Sequence, residues 1–204
     1  MHRKLSHIIV ITIFFVATLY VTNTFSSTGM LLEDDGAEKA SIIEKTIAFL
    51  KERKPGVSDD RIKVIASSVY EESKKYDLDY RLILAIMKVE SNYRNEAVSR
   101  RGARGLMQIN PSSARIIARE SGVEVKGAKC LHEPEKNIKM GVSYLSKMRD
   151  MFDNIVSALH AYNAGPGKVK KPRGEEKAKT TSFTRKVMSE YRQISEVLPE
   201  PDEE

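Results

Sequence analysis

The sequence predicts a mainly α fold, on three observations. Apolar residues recur at three- and four-residue spacing in successive segments. Asp, Asn and Pro stand where those segments begin. No alternating apolar and polar stretch is long enough for a core strand.

The elements follow in order. His2, Arg3 and Lys4 precede an apolar run, Ile8 to Val21, broken only by Thr12 and Thr18. As a helix this run would reach roughly 21 Å, short of a hydrocarbon core of about 30 Å. A basic start, a short apolar run and the polar exit at Thr22, Asn23 and Thr24 predict an export leader over residues 1–25. No Ala-x-Ala site follows the run, so cleaved signal peptide and retained signal anchor are equal readings. Attachment to the membrane would run through residues 5–25, and the protein would act in the cell envelope, in the periplasm or on the outer face of the inner membrane. Residues 26–57 read as a spacer with a short helix that carries Ile42, Ile43, Ile47 and Leu50.

The main domain is expected over 58–195. Ser58, Asp59 and Asp60 open a helix with Ile62, Ile65, Val69 and Tyr70 on one face, and Asp79 caps a nearly all-apolar run from Tyr80 to Val89. Asn110-Pro111 starts a helix through Ile116 and Ile117, and Pro134 starts another with Ile138, Val142 and Leu145. A further helix spans about Asn154 to Tyr162. Thr181 or Ser182 begins the last one, in which Phe183, Val187, Tyr191 and Ile194 face one way. Residues 196–204, with two prolines and five carboxylates, read as a disordered acidic tail.

Composition narrows the chemistry. With 30% charged residues and 41% hydrophobic ones, the 204-residue chain can build a core. Cys130 has no partner for a disulfide, and the four histidines, His2, His7, His132 and His160, are scattered, so no metal site is expected. The net charge of +6 favours an anionic partner such as nucleic acid, acidic lipid or a carboxylate-rich wall polymer. Zinc-finger spacing and aromatic ribonucleoprotein motifs are missing from the sequence, so no nucleic-acid partner is expected.

One carboxylate is out of place. Glu90 lies three, four and seven residues beyond Met87, Ile86 and Ile83, on an apolar helix face. Poor solvation of an ionised carboxyl there would raise its pKa and suit it to work as a general acid. A helix-end glutamate at the solvent boundary is the plainer reading of the same spacing.

Four ordered motifs weigh on that choice. Glu90-Ser91-Asn92-Tyr93, Gly102-Ala103-Arg104-Gly105-Leu106-Met107-Gln108-Ile109, Asn137-Ile138 with Gly141 and Tyr144-Leu145, and Ala161-Tyr162-Asn163-Ala164-Gly165-Pro166-Gly167 occur in that order. Together they resemble the lytic transglycosylases of the soluble murein type, relatives of the goose-type lysozymes. The resemblance runs from about Arg61 to Gly167 and takes in the last helix.

It implies a lysozyme-like single domain that binds peptidoglycan glycan strands and cuts between N-acetylmuramic acid and N-acetylglucosamine without a cofactor. Glu90 matches the family's catalytic acid, which then acts as base on the muramoyl C6 hydroxyl and leaves a 1,6-anhydro end. Ser91, Met107, Gln108, Tyr162 and Asn163 match substrate-binding positions. A cell-envelope machine for secretion, conjugation or motility is an open partner.

The carboxylates can be surveyed independently of the resemblance. Two-acid glycosidases need a second carboxyl within roughly 5 to 9.5 Å. Between Ser91 and Arg119 the sequence offers only Glu96, and from Asn154 to Gly174 it offers none. A one-acid reaction fits better than hydrolysis. A muramidase of the same fold, or a wall-binding protein without turnover, are the alternatives. Past Gly167 the chain departs from the family: it is basic through Lys186, and Phe183-Thr184 stands where an acid and a threonine are usual.

Overall fold

The structure is a computed structural model that describes residues 36–54, 56–152, 154–169 and 179–201. The leader at 1–25, residues 26–35 and 55 of the spacer, residues 170–178 of the basic segment 168–186 and the last three residues lie outside the described residues. The chain divides into a unit ending at Ser41 and a unit from Ile42 to Glu204. Apart from residues 36–41, everything below concerns the second.

Seven α-helices are described: α1 over 36–53, α2 Asp59–Lys75, α3 Tyr80–Ser91, α4 Pro111–Ser121, α5 Pro134–Met151, α6 Ile155–Ala164 and α7 Ser182–Ser195. Two single 3-10 turns, Ala128–His132 and Pro166–Lys168, join them. The mainly α expectation holds, and isolated bridges at Val98–Arg104 and Arg104–Ile109 are the β pairing among the described residues.

The starts and stops have local causes. Asp79 accepts from the Arg81 N–H, Asn110 from Ser112 and Asn154 from Ser157, so α3, α4 and α6 each begin on a side-chain cap. Thr181 and Thr184 form a reciprocal capping box at the head of α7. Ser58 occupies the cap position of α2 without a side-chain bond; Asp59 and Asp60 in the first turn supply the favourable charge there.

α3 runs through the centre. Leu82 to Met87 are all buried, and the helix packs chiefly on α7, while α2 packs on α5. The larger apolar cluster takes residues from α1, α2, α3, α5, α6 and α7. A smaller cluster joins Ile109, Ala114, Ile117 and Ala118 to Leu131 and Met140. Tyr144 packs against both.

Two features lie at the edges of the expected domain. From Ile42 the presumed spacer is core: Ile42, Phe49 and Leu50 are buried in the larger cluster. The acidic tail is docked as far as it is described, with Leu198 buried and the Pro199 carbonyl accepting from Tyr80 Oη at 2.8 Å. One apolar side chain and one backbone acceptor offset the unfavourable composition.

Candidate active site

Glu90 is the penultimate residue of α3. Ile83, Ile86 and Met87, which its spacing places on the same face, are fully buried. Burial alone raises the Glu90 carboxyl from 4.5 to about 7. α3 then ends abruptly. Asn92 and Tyr93 both take left-handed backbone, at φ 51° and 59°, and Lys88 Nζ donates to Asn92 Oδ1 at 2.8 Å. This turns the chain away two residues after the acid.

The following loop folds onto α5. Asn137 of α5 is wholly buried: its Nδ2 donates to the carbonyls of Arg104 (3.0 Å) and Leu131 (2.8 Å), and its Oδ1 accepts the Met107 N–H at 2.7 Å. One turn on, a Cβ at Gly141 would lie 2.4 Å from Met107 Sδ, so the missing side chain is what seats the methionine. At Gly105, φ is +80°, and a Cβ would sit 2.2 Å from the Leu131 carbonyl.

From the other side comes Tyr162 of α6. Its Oη donates to the Met107 carbonyl at 2.7 Å, its ring lies 5.5 Å from that of Tyr144, and the charge of Glu90 acts on its phenol. Asn163 follows it and is exposed. Gln108 is left-handed at φ 50°, and its Nε2 donates to the carbonyls of Gly105 (2.9 Å) and Ala97 (3.2 Å). The part it can turn toward a sugar is its carbonyl oxygen.

Two candidate substrate contacts are placed inside the protein. Ser91 is buried and its Oγ donates to the Met87 carbonyl at 3.0 Å, the helix-internal bond common for serine. Met107 is wholly buried against Gly141. Neither side chain is presented to solvent; both shape the ground on which Glu90 and Gln108 stand.

Glu96, the second carboxylate the sequence offered, is turned outward. Its side chain is 68% exposed and bonds Arg61 Nη1 at 3.1 Å and Asn95 Nδ2 at 2.8 Å. Behind it, His132 holds Asn95 and Arg104 together through Nδ1 and Nε2. Among the described residues, no group of His, Cys, Asp and Glu could hold a metal ion.

The transglycosylase SLT domain matches residues 67–183. The chain belongs to that family. The matched span contains Glu90, Ser91, Met107, Gln108, Tyr162 and Asn163, together with Asn137 and Gly141.

A membrane-bound lytic murein transglycosylase C from Klebsiella pneumoniae subsp. pneumoniae is 36% identical over 125 residues, which are 56% of this chain and 35% of the relative. Its namesake from Photorhabdus laumondii subsp. laumondii is 33% identical over 143 residues, 65% of this chain and 40% of the relative. The X-ray structure of an inactive mutant of the lytic transglycosylase Slt from Pseudomonas aeruginosa superposes with a TM-score of 0.57 at 31% identity, covering 64% of this chain and 24% of that one. The matches thus span 35% and 40% of the two curated relatives' lengths.

Asn137 is the residue to which sequence reading gave no task. It was visible inside a motif, and a signal existed: a polar side chain three, four and seven residues before Met140, Gly141 and Tyr144. The argument that singled out Glu90 applies equally to it.

Proposed function

We propose that the protein is a peptidoglycan lytic transglycosylase in which Glu90 alone does the proton work. The observation that carries this is a carboxyl held protonated up to about pH 7 by burial, while Glu96, the other acid in that stretch of sequence, is tied to Arg61 at the surface.

Protonated Glu90 gives its proton to the glycosidic oxygen as the bond from C1 of the muramoyl residue to O4 of the glucosaminyl residue breaks. The electron pair leaves with O4. The muramoyl C6 hydroxyl then bonds to C1, and its proton passes to the Glu90 carboxylate, which restores the acid. Water takes no part, and the product carries a 1,6-anhydromuramoyl end. The Tyr162 phenol feels the charge of the acid, while Gln108 and Asn163 offer amides to N-acetyl and hydroxyl groups of the strand. The names of the relatives, lytic murein transglycosylases, support this reading. So does the inactivity of a glutamate-to-glutamine mutant of the Slt neighbour.

Export to the cell envelope rests on the leader and on the words "membrane-bound" in the relatives' names. Attachment through residues 5–25 and service to an envelope machine belong to the same proposal.

The test is release of soluble muropeptides from purified peptidoglycan. Wild type and Glu96→Gln are expected to release them at similar rates, and Glu90→Gln at a rate lower by a factor of about a thousand, the scale of losing a general acid. Full activity of Glu90→Gln, or equal loss in Glu96→Gln, would overturn the one-acid reading.

A further inference from the structure

We propose that the hollow between α4 and the segment that follows it binds the peptide stems of peptidoglycan. Arg115 and Arg119 hold carboxylates of the stem, and an apolar floor takes its alanine methyl groups. The proposal rests on the function proposed above and adds to it the part of the substrate that is not sugar.

The hollow has a volume of about 650 Å³, within the range of about 300 to 1,000 Å³ usual for small-ligand sites. Its origin lies in the sequence of α4. Ala114 and Ala118 stand one turn apart on one face, and both are buried in the smaller apolar cluster together with Leu131. Two methyl groups leave open the space that longer side chains would fill. Val123 and Val125 pack on the same cluster and line the hollow from the segment after Gly122. None of Glu90, Gln108, Tyr162 and Asn163 lines it, so it is distinct from the candidate active site.

The polar part of the lining is unbalanced. Arg115 and Arg119 lie four residues apart, exposed, on the same side of α4. Like charges at this spacing disfavour a helix, and an acid beside them would relieve it. The nearby acids are engaged elsewhere: Glu120 binds Lys147 Nζ at 2.6 Å, and Glu124 pairs with Lys126 at 3.4 Å. Among the described residues neither guanidinium has a hydrogen-bonding or ionic partner. Glu124 and Lys126 also line the hollow, so its lining carries three cations against one acid.

That pattern specifies a ligand. A guanidinium pair selects an anion and binds carboxylate bidentately. A concave floor of methyl groups suits short apolar side chains rather than a flat lipid surface or a phosphate backbone. A peptidoglycan stem offers both features, several carboxylates and alanine methyls, and its diamino acid carries an amine that Glu124 can meet. Position agrees with chemistry. Pro111, in the lining, is three residues from Gln108, so their Cα atoms are within about 11 Å. A stem of about four residues spans about 13 Å when extended, so a strand bound at Gln108 brings its stem within reach of the hollow.

The experiment follows the backbone amide signals of the full chain by 1H–15N NMR as the free peptide L-Ala-γ-D-Glu-meso-diaminopimelyl-D-Ala is added. The peptide contains no sugar and the measurement needs no turnover, so the result stands even if the glycan reaction proves hydrolytic or absent. Saturable shifts centred on α4 and residues 122–131 are expected. Arg115→Gln combined with Arg119→Gln should weaken the affinity by about tenfold or more, the scale of losing charged hydrogen bonds. Arg100→Gln combined with Arg101→Gln removes the same charge from the loop before Gly102 and should leave the affinity nearly unchanged. With wild type, the same peptide carrying amides in place of its carboxyls should bind as weakly as the acid form binds the Arg115 and Arg119 variant. That arm serves alone if the variant does not fold. No saturable shift in wild type, shifts centred on other elements, or equal weakening by the two arginine pairs would overturn the proposal. Broadening of these signals by phosphatidylglycerol vesicles, with no response to the peptide, would reassign the hollow to acidic lipid.

Discussion

At Glu90 the resistance to ionisation that suits an acid catalyst also costs stability. The unfolded chain releases this proton near 4.5, the folded protein near 7. Between those values the native state binds more protons, so the Glu90 contribution is full below about pH 4.5 and is lost as pH rises through 7. At about 1.4 kcal/mol per unit, the loss above pH 7 is about 2 to 3 kcal/mol for a carboxyl that is mostly but not wholly covered. Glu90→Gln should accordingly melt several degrees above wild type at pH 8 and at the same temperature at pH 4. Thermal denaturation at the two pH values checks this; equal melting at pH 8 would mean the carboxyl is well solvated. The sign carries over to catalysis, where cleavage should fall as pH rises through about 7 with the loss of the protonated form.

Periodicity made Glu90 legible, because a helix fixes which residues share a face. It could not say that Ser91 and Met107 turn inward. Ser91 depends on a backbone bond within its own helix, and Met107 on a hollow left by Gly141, thirty-four residues later.

The elements are held to one another by a few polar ties that composition conceals. Asp79 caps α3, binds the buried Arg81 through both of its oxygens, and accepts from Tyr191 Oη of α7 at 2.6 Å. Asp79→Ala would remove the cap and strand a buried guanidinium, at a cost of about 3 kcal/mol or more. Tyr191→Phe should lose only about 1 kcal/mol, the worth of a single hydrogen bond. Denaturant melts that rank the two variants the other way would place the strength of this joint in α7. The loop offers a similar contrast. Gly105→Ala forces a Cβ against the Leu131 carbonyl at a positive φ, and should destabilise by at least about 2 kcal/mol. Gly102→Ala meets no atom within 4 Å; only its φ of +81° counts against it. The Asp79 cap was readable because an aspartate stood before an apolar run. Its bond to Tyr191 was not, since Tyr191 lies 112 residues away in sequence.

Across the whole molecule, the sequence located the helices well and their outer limits less well. Core begins at Ile42, before the expected domain edge, because α1 supplies apolar residues that the larger cluster needs. It continues to Leu198, past the expected one. Leu198→Ala should therefore destabilise the protein by about 2 kcal/mol or more in urea, where a disordered tail would show no change. The site spans this same scale: α3 carries the acid, α5 and α6 grip the loop beside it, and α7 braces α3 from behind.

The central claim is that the acceptor in the reaction is the substrate's own alcohol, with Glu90 as the single acid and base. It is tested most directly by the mass of the sugar ends released from purified peptidoglycan. Ends lighter by one water than the free reducing sugar, absent with Glu90→Gln, are the predicted result. Free reducing ends would contradict it, since they require water as nucleophile and a second carboxylate to activate it.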